Sequence, residues 1–258
     1  MRIASLVPSL TELLVELGLR DCLVARTGFC IHPASLLRDV PKVGGTKDVN
    51  LDKLRRLAPT HVLVNIDENR RETVEAMRAW PDPPQIVVTH PLRPEDNLAL
   101  IAQMVEQFGG RPEVRERAAA LTDALQRELN LTNPADRPLQ SVLYLIWRDP
   151  WMTVARDTYI AAMLARAHWN TLPEVTGGAA GAARYPVVAG NEPWLAEVKQ
   201  VLLSSEPYAF TERHLAEARV LCPNARARVV DGELLSWYGA RAVPGLRYLR
   251  EIAAVSPN

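Results

Sequence analysis

Cys30 and His32, separated by one residue, are the first side chains along the chain whose types could do chemistry together. With Glu68 and His90 they would offer thiolate, imidazole and carboxylate, a set that suits zinc or a neighbouring transition metal. Cys-x-His is not an established ligand spacing, however, and a loop histidine beside Pro33 serves equally well as a structural hydrogen-bonding group. Cys30 with His32, or Ser204-Ser205-Glu206, also supplies the atoms of a nucleophile and its base. No Gly-x-Ser-x-Gly, Gly-x-x-x-x-Gly-Lys or Gly-x-Gly-x-x-Gly accompanies them, and Gly44-Gly45-Thr46-Lys47 lacks the preceding strand and full spacing of a phosphate loop. The expectation is a protein with no catalytic residue and no metal ion held directly, with a cytoplasmic enzyme or a direct metal-ion binder using the same loops as the alternative.

Aromatic residues are the commoner resource in these segments. Phe29, Trp147, Trp151, Tyr185, Tyr208, Phe210, Trp237 and Tyr238 are eight of the chain's fifteen Phe, Trp and Tyr residues. All eight fall in segments that read as loops after strands, where a ring need not fill a core and can bury a planar or bulky ligand. Some could equally cap the ends of a core. Lys47, Asn69, His90, Arg148, Asp149, Glu206 and Glu233 share these loops. The expected ligand pocket is lined by Phe29, Cys30, His32, Glu68, Arg70, Trp147, Trp151, Arg184, Tyr185, Tyr208, Trp237 and Tyr238. Trp147 and Trp151 are set apart by Arg148-Asp149-Pro150, a turn-forming spacer that can aim both indoles one way. Arg70, Arg184 and Glu206 would select for polar groups at the ligand's rim.

The elements that position these loops follow from hydrophobic patterning. Short apolar runs at Ile3 to Val7, Cys22 to Ala25, Val62 to Val64, Ile86 to Val88, Val142 to Ile146, Val201 to Leu203 and Arg228 to Val230 read as buried parallel strands. Helical patterns separate most of them. The first opens at Ser9, a candidate N-cap with Glu12 three residues on, and ends at Gly18. Others are expected near Leu51 to Leu57, Arg71 to Ala79, Pro94 to Phe108, Thr158 to Ala167, Thr211 to Ala218 and Val243 to Ala254. Alternating strands and helices predict an α/β fold with parallel sheets, in which ligands bind beyond the strands' carboxyl ends. One segment breaks the rhythm: Arg111 to Leu131 reads as a single helix about 30 Å long, stopped by Asn133-Pro134. The economical organisation is an N-terminal α/β lobe over 1–110, a bridging helix over 111–132 and a C-terminal α/β lobe over 133–258. One continuous sheet with a long crossover helix also accommodates the pattern. No internal repeat is visible.

Of the chain's 258 residues, 48% are hydrophobic, enough for a sizeable core. Thirty basic against thirty acidic residues leave no net charge, which argues against nucleic acid as a partner. Cys22, Cys30 and Cys222 form no CxxC pair and are odd in number, as suits reduced thiols rather than a disulfide framework. Met1 to Leu6 does not read as an export signal, so the sequence as it stands is expected in the cytoplasm, or in the periplasm if a signal has been trimmed. A monomer is expected.

The chain also resembles a known family. Met1 to Gly18, Pro41-Lys42-Val43-Gly44-Gly45-Thr46, Asn50-Leu51-Asp52-Lys53-Leu54 and Leu57-Ala58-Pro59-Thr60-His61-Val62-Leu63-Val64 are similar to the N-terminal lobe of the helical-backbone metal receptor superfamily. Its members include cobalamin- and iron-siderophore-binding proteins of ABC importers. A narrower resemblance, to proteins labelled cobalamin-binding, rests on Phe29 to Pro33, Glu68 to Arg71, Ile146 to Met152, Glu206 to Tyr208 and Asp231 to Gly239. The resemblance implies two Rossmann-like lobes joined by a single long helix, as in class III periplasmic binding proteins. It also implies a non-catalytic binding protein holding cobalamin or another metal chelate between its lobes, with no further cofactor. Related carriers present a glutamate from each lobe to an importer permease, and Glu72 and Glu212 are the candidates here. Loops richer in charge than a corrinoid requires keep other metal chelates and anionic small molecules open.

Overall fold

The computed structural model describes every residue except Pro134, Asp136, Ala179, Ala180 and 255–258. Half of the predicted stop after the long helix and the last four residues of the expected C-terminal lobe thus lie outside the described residues. The chain forms two compact units. The first comprises Met1–Pro91, Asn97–Ala124 and Tyr238–Arg241, and the second Leu92–Asp96, Leu125–Trp237 and Ala242–Asn258.

In the first unit the elements are β1 (Ile3–Ser5), α1 (Pro8–Glu16), β2 (Leu23–Arg26), α2 (Ala34–Leu37), α3 (Leu51–Arg56), β3 (His61–Asn65), α4 (Arg71–Arg78), β4 (Gln85–Thr89) and, from its second residue Asn97 on, α5 (Asp96–Phe108). The strands form one parallel sheet in the order β2-β1-β3-β4, with Ala4 opposite Val62 and Val64 opposite Val88. Ala4, Leu6, Ala25, Val43, Leu54, Val62, Val64 and Met77 form a buried cluster, as expected of parallel strands rich in Val, Leu and Ala. Helix α1 departs from expectation at its start. Pro8 occupies the first turn and Val7 is the N-cap, without a side-chain bond, so Ser9 is a buried helical residue and not the cap. Proline has no N–H to satisfy and its fixed φ suits the first helical position, which outweighs the serine signal. Gly18 ends the helix with φ +78°, as glycine permits.

Helix α6 (Pro112–Leu131) is uninterrupted, as the pattern of Arg111 to Leu131 predicts, and carries the chain from one unit to the other. Its residues through Ala124 pack with the first unit and those from Leu125 with the second.

The second unit contains β5 (Gln140–Leu145), β6 (Trp151–Met152), α7 (Tyr159–Ala165), β7 (Trp169–Thr171), β8 (Val187–Val188), β9 (Gln200–Ser204), α8 (Leu215–Leu221), β10 (Arg226–Val230), α9 (Gly232–Ser236) and α10 (Ala242–Ala254). Its main sheet is parallel, in the order β10-β9-β5-β7, while β6 and β8 make a small antiparallel pair. The apolar patterning missed three of these strands. β6 and β8 are two residues each and β7 three, too short to show a period, and polar Asn170 sits within β7. The helix expected from Thr211 begins instead as a 3₁₀ turn over Glu212–His214, and the regular helix starts at Leu215. Glu128, on α6, lies almost buried between Arg247 and Arg250 of α10, at 3.0 and 2.6 Å.

Counted along its own chain segment, each main sheet runs second strand, first, third, fourth. The architecture therefore repeats although the sequence does not. In such a sheet the connections leave in opposite directions after the first and third strands, and the crevice at their carboxyl ends is where ligands sit. These switch points lie between β1 and β3 in the first unit and between β5 and β9 in the second.

Candidate functional site

At the first unit's switch point, Asn69 fastens the loops together. Its Nδ2 donates to Leu6 O at 3.2 Å and to Thr46 O at 3.0 Å, and its Oδ1 accepts from Asn65 N at 2.9 Å. Around it, His90 Nε2 lies 3.3 Å from Asp67 Oδ2, Lys47 Nζ donates to Asp67 O at 2.5 Å, and Arg70 pairs with Asp48 at 3.0 Å. Tyr238 returns to this unit late in the chain, and its hydroxyl donates to Glu68 Oε1 at 2.9 Å. Burial and the charge of Glu68 raise the Tyr238 hydroxyl well above its ordinary range, so it stays a protonated donor. Arg241 holds the same returning segment by two bonds to Glu12, at 2.8 and 2.7 Å. Phe29 is 62% exposed at the rim.

The second unit's switch point is aromatic. Trp147, just beyond β5, meets the ring of Tyr208, beyond β9, edge to face at 5.7 Å. Tyr208 contacts Phe210 at 4.7 Å, Phe210 stacks on Trp151 at 5.9 Å with the planes 8° apart, and His214 closes the group against both Tyr208 and Phe210. Arg148 lies over the Trp151 ring at 4.6 Å and is also paired with Glu217 at 2.6 Å. Trp147 remains 41% exposed, whereas Phe210 is 3% exposed. Beside the rings, Glu206 Oε1 accepts from Ser236 Oγ at 2.6 Å and from the Trp237 indole N–H at 2.8 Å. Burial raises the Glu206 carboxyl above its ordinary range, and the neighbouring charges of Glu233 and Asp231 push it the same way.

No family model matches the chain. It is 23% identical over 268 aligned positions to the Bacillus subtilis protein YvrC, an uncharacterized ABC transporter substrate-binding lipoprotein, covering 97% of this chain and 79% of that one. Among solved structures it is similar to the periplasmic vitamin B12 binding protein BtuF of Vibrio cholerae, with TM-score 0.76, 18% identity, and 99% and 98% of the two chains covered. The periplasmic heme binding protein HutB of the same organism gives 0.77 at 20% identity over 98% and 99%, and a periplasmic heme binding protein of Pseudomonas aeruginosa gives 0.78 at 19% over 100% and 94%. The fold is thus shared over nearly the whole of each chain. This is the fold of the class III periplasmic binding proteins.

Against this fold, the expected pocket residues divide by unit. Phe29, Cys30, His32, Glu68, Arg70 and Tyr238 belong to the first, and Trp147, Trp151, Arg184, Tyr185, Tyr208 and Trp237 to the second. Trp147, Trp151 and Tyr208 share one aromatic group, and Trp237 donates to Glu206, two residues before Tyr208 in the chain. Two residues are corrected. Cys30 is fully buried, with Sγ 3.1 Å from Thr27 Oγ1, and burial pushes its thiol up, so it packs the unit and does not line a surface. Arg184 is 1% exposed, and its guanidinium donates to Gly178 O at 2.9 Å and Asp157 O at 3.0 Å, tying its own loop together. With Cys30 enclosed and His90 beside Asp67, the set Cys30, His32, Glu68 and His90 does not assemble. Among the described residues no three His, Cys, Asp or Glu side chains converge as a metal site.

The pocket list missed Asn69, Ser236 and His214. Asn69 and Ser236 lie inside the motifs Glu68-Asn69-Arg70 and Leu235-Ser236-Trp237. His214 could have been found from its spacing, since Thr211 and His214 form a reciprocal capping box. A cavity of about 530 Å³, lined by Met1, Asp21, Cys22, Gln107, Phe108, Gly110 and Arg111, lies before β1 and β2 and after α5. That is the amino-terminal edge of the first sheet, opposite to the switch point, so it is not the candidate site.

Proposed function

We propose that this chain is the substrate-binding component of an ABC importer, without catalytic activity, and that its ligand is a planar metal chelate, with cobalamin the leading candidate. The observation that supports this reading best is the half-exposed Trp147 at the β5/β9 crevice, backed by Tyr208, Phe210 and Trp151. A ring held from behind and open in front is suited to stacking on a flat ligand. BtuF is a vitamin B12 binding protein and HutB a heme binding protein, and both of those ligands are of this chemical kind. On this reading Cys30 has no reactive role, because its thiol is enclosed.

Glu72 and Glu212, both exposed and early in their helical segments, are the proposed contacts with a permease, one from each unit. A carboxylate is favourable in a first helical turn in any case, so charge reversal at both positions must abolish uptake by the cognate importer for the docking role to hold. YvrC is called a lipoprotein and BtuF periplasmic, and an exported placement is proposed here too. Among the described residues no helix is long and apolar enough to cross a membrane. The direct test is tryptophan fluorescence during titration with cyanocobalamin, haem, a ferric siderophore and free divalent metal ions. Quenching by a chelate that is weakened in Trp147→Ala is expected. Quenching by free metal ions alone would end this reading.

A further inference from the structure

Glu206 stands two residues beyond β9, and its carboxylate is held at one oxygen. Ser236 Oγ and the Trp237 indole N–H both donate to Oε1, at 2.6 and 2.8 Å. No described residue donates to Oε2, and that atom is not among the enclosed ones. Gly232 makes the position possible. A Cβ there would come within 2.8 Å of Glu206 Cγ and 2.9 Å of its backbone nitrogen. Two donors on Oε1 fix the plane of the group and leave Oε2 as an outward acceptor. Arg148, which lies over the Trp151 ring, is already paired with Glu217 at 2.6 Å and with Asp149. The nearby charges acting on Glu206 are those of Glu233 and Asp231, both negative.

Resting on the functional reading above, we propose that Glu206 is a specificity-determining residue, accepting a hydrogen bond from a carboxamide or amine N–H at the ligand's rim and excluding ligands that bring a carboxylate there. A carboxamide completes the acceptor at Oε2, and a charge-assisted bond is among the stronger ones available. A carboxylate has no proton to donate and meets like charge at a partly desolvated site. The rim of a corrinoid carries carboxamides, and the rim of haem carries propionates. Both present a flat face to Trp147, so stacking alone does not separate them, whereas Glu206 does.

The experiment compares dissociation constants for cyanocobalamin and for haem, by tryptophan quenching, in the wild type and in Glu206→Gln. Glutamine keeps the size of the side chain and an oxygen for Ser236 and Trp237, and the ratio of the two constants within one preparation is insensitive to any unfolded fraction. The wild type is expected to prefer cyanocobalamin, and Glu206→Gln to reduce that preference about tenfold or more, chiefly through tighter haem binding. A wild type that binds cyanocobalamin, with a ratio unmoved in Glu206→Gln, overturns this inference and leaves the functional reading standing. A wild type that prefers haem overturns it too. If the wild type binds neither probe, this inference fails, and if it binds no ferric siderophore either, the functional reading fails with it.

Discussion

At the switch point of the first sheet, Asn69 joins the loops after β1 and β3 through bonds to Leu6 O and Asn65 N and reaches across to Thr46 O. At the same topological position in the second sheet, Trp147 and Tyr208 join the loops after β5 and β9 by ring contact. Hydrogen bonds are directional, and a buried amide must find its partners, so the first face spends its polar groups on itself. Ring contacts tolerate a range of geometries and leave apolar area to spare. Thus Asn69 is 7% exposed while Trp147 is 41% exposed. The same sheet order has produced one face that is locked and another that still has surface to offer a ligand.

Removing the lock should have the largest effect. Asn69→Ala strands Leu6 O, Thr46 O and Asn65 N, and is expected to lower unfolding free energy by about 3 kcal/mol in denaturant titration. If it is tolerated, the first face is not held as described. Trp151→Ala comes next. It removes the ring that stacks on Phe210 and packs against the second unit's core, and a loss of about 2 kcal/mol is expected, reduced from a full core truncation because the ring is only partly buried.

Tyr238→Phe deletes one buried hydroxyl bonded to Glu68 and should lower stability by about 1 kcal/mol. Trp147→Ala sharpens the contrast from the other side. Its thermal midpoint should stay near that of the wild type, while affinity for cyanocobalamin falls about threefold to tenfold. If the stability losses of Trp147→Ala and Trp151→Ala are equal, the exposed ring is packing like its neighbour.

The smallest effect is in pH dependence. Because folding raises the Glu206 carboxyl, its contribution favours the folded state below its ordinary value of 4.5 and is lost as pH rises through the raised value. Glu206→Gln should therefore gain stability relative to the wild type across that upward window and not below it. Glu128 runs the opposite way. Against the upward push of burial, bonds from Arg250 and Arg247 hold it below its ordinary value, so its contribution is lost as pH falls. Denaturant titrations of Glu206→Gln and the wild type at several pH values separate the two trends.

Much of this molecule was legible in its sequence. Runs such as Val62 to Val64 and Val201 to Leu203 are buried on both faces, so apolar residues alone mark them, and the long helix announced itself by its length and by the absence of Gly and Pro from Glu113 to Leu131, after a proline at its first position. The loops holding Trp147 and Tyr208 follow directly from the runs Val142 to Ile146 and Val201 to Leu203. Local chemistry read without neighbours was less secure. Ser9 signalled a cap that Pro8 pre-empted, and Cys30 and Arg184 looked available although Thr27 and Asp157 enclose them, because residue type does not report which way a side chain turns.

Only the tertiary structure decided that both sheets share one strand order, since β7 has just three residues and no period to show. It also brought Glu68 to Tyr238 across 170 positions, and Ser236 and Trp237 to one oxygen of Glu206. The reason is physical. Hydrophobic periodicity is written locally along the chain, whereas the pairing of polar groups depends on which loops the packed sheets bring together.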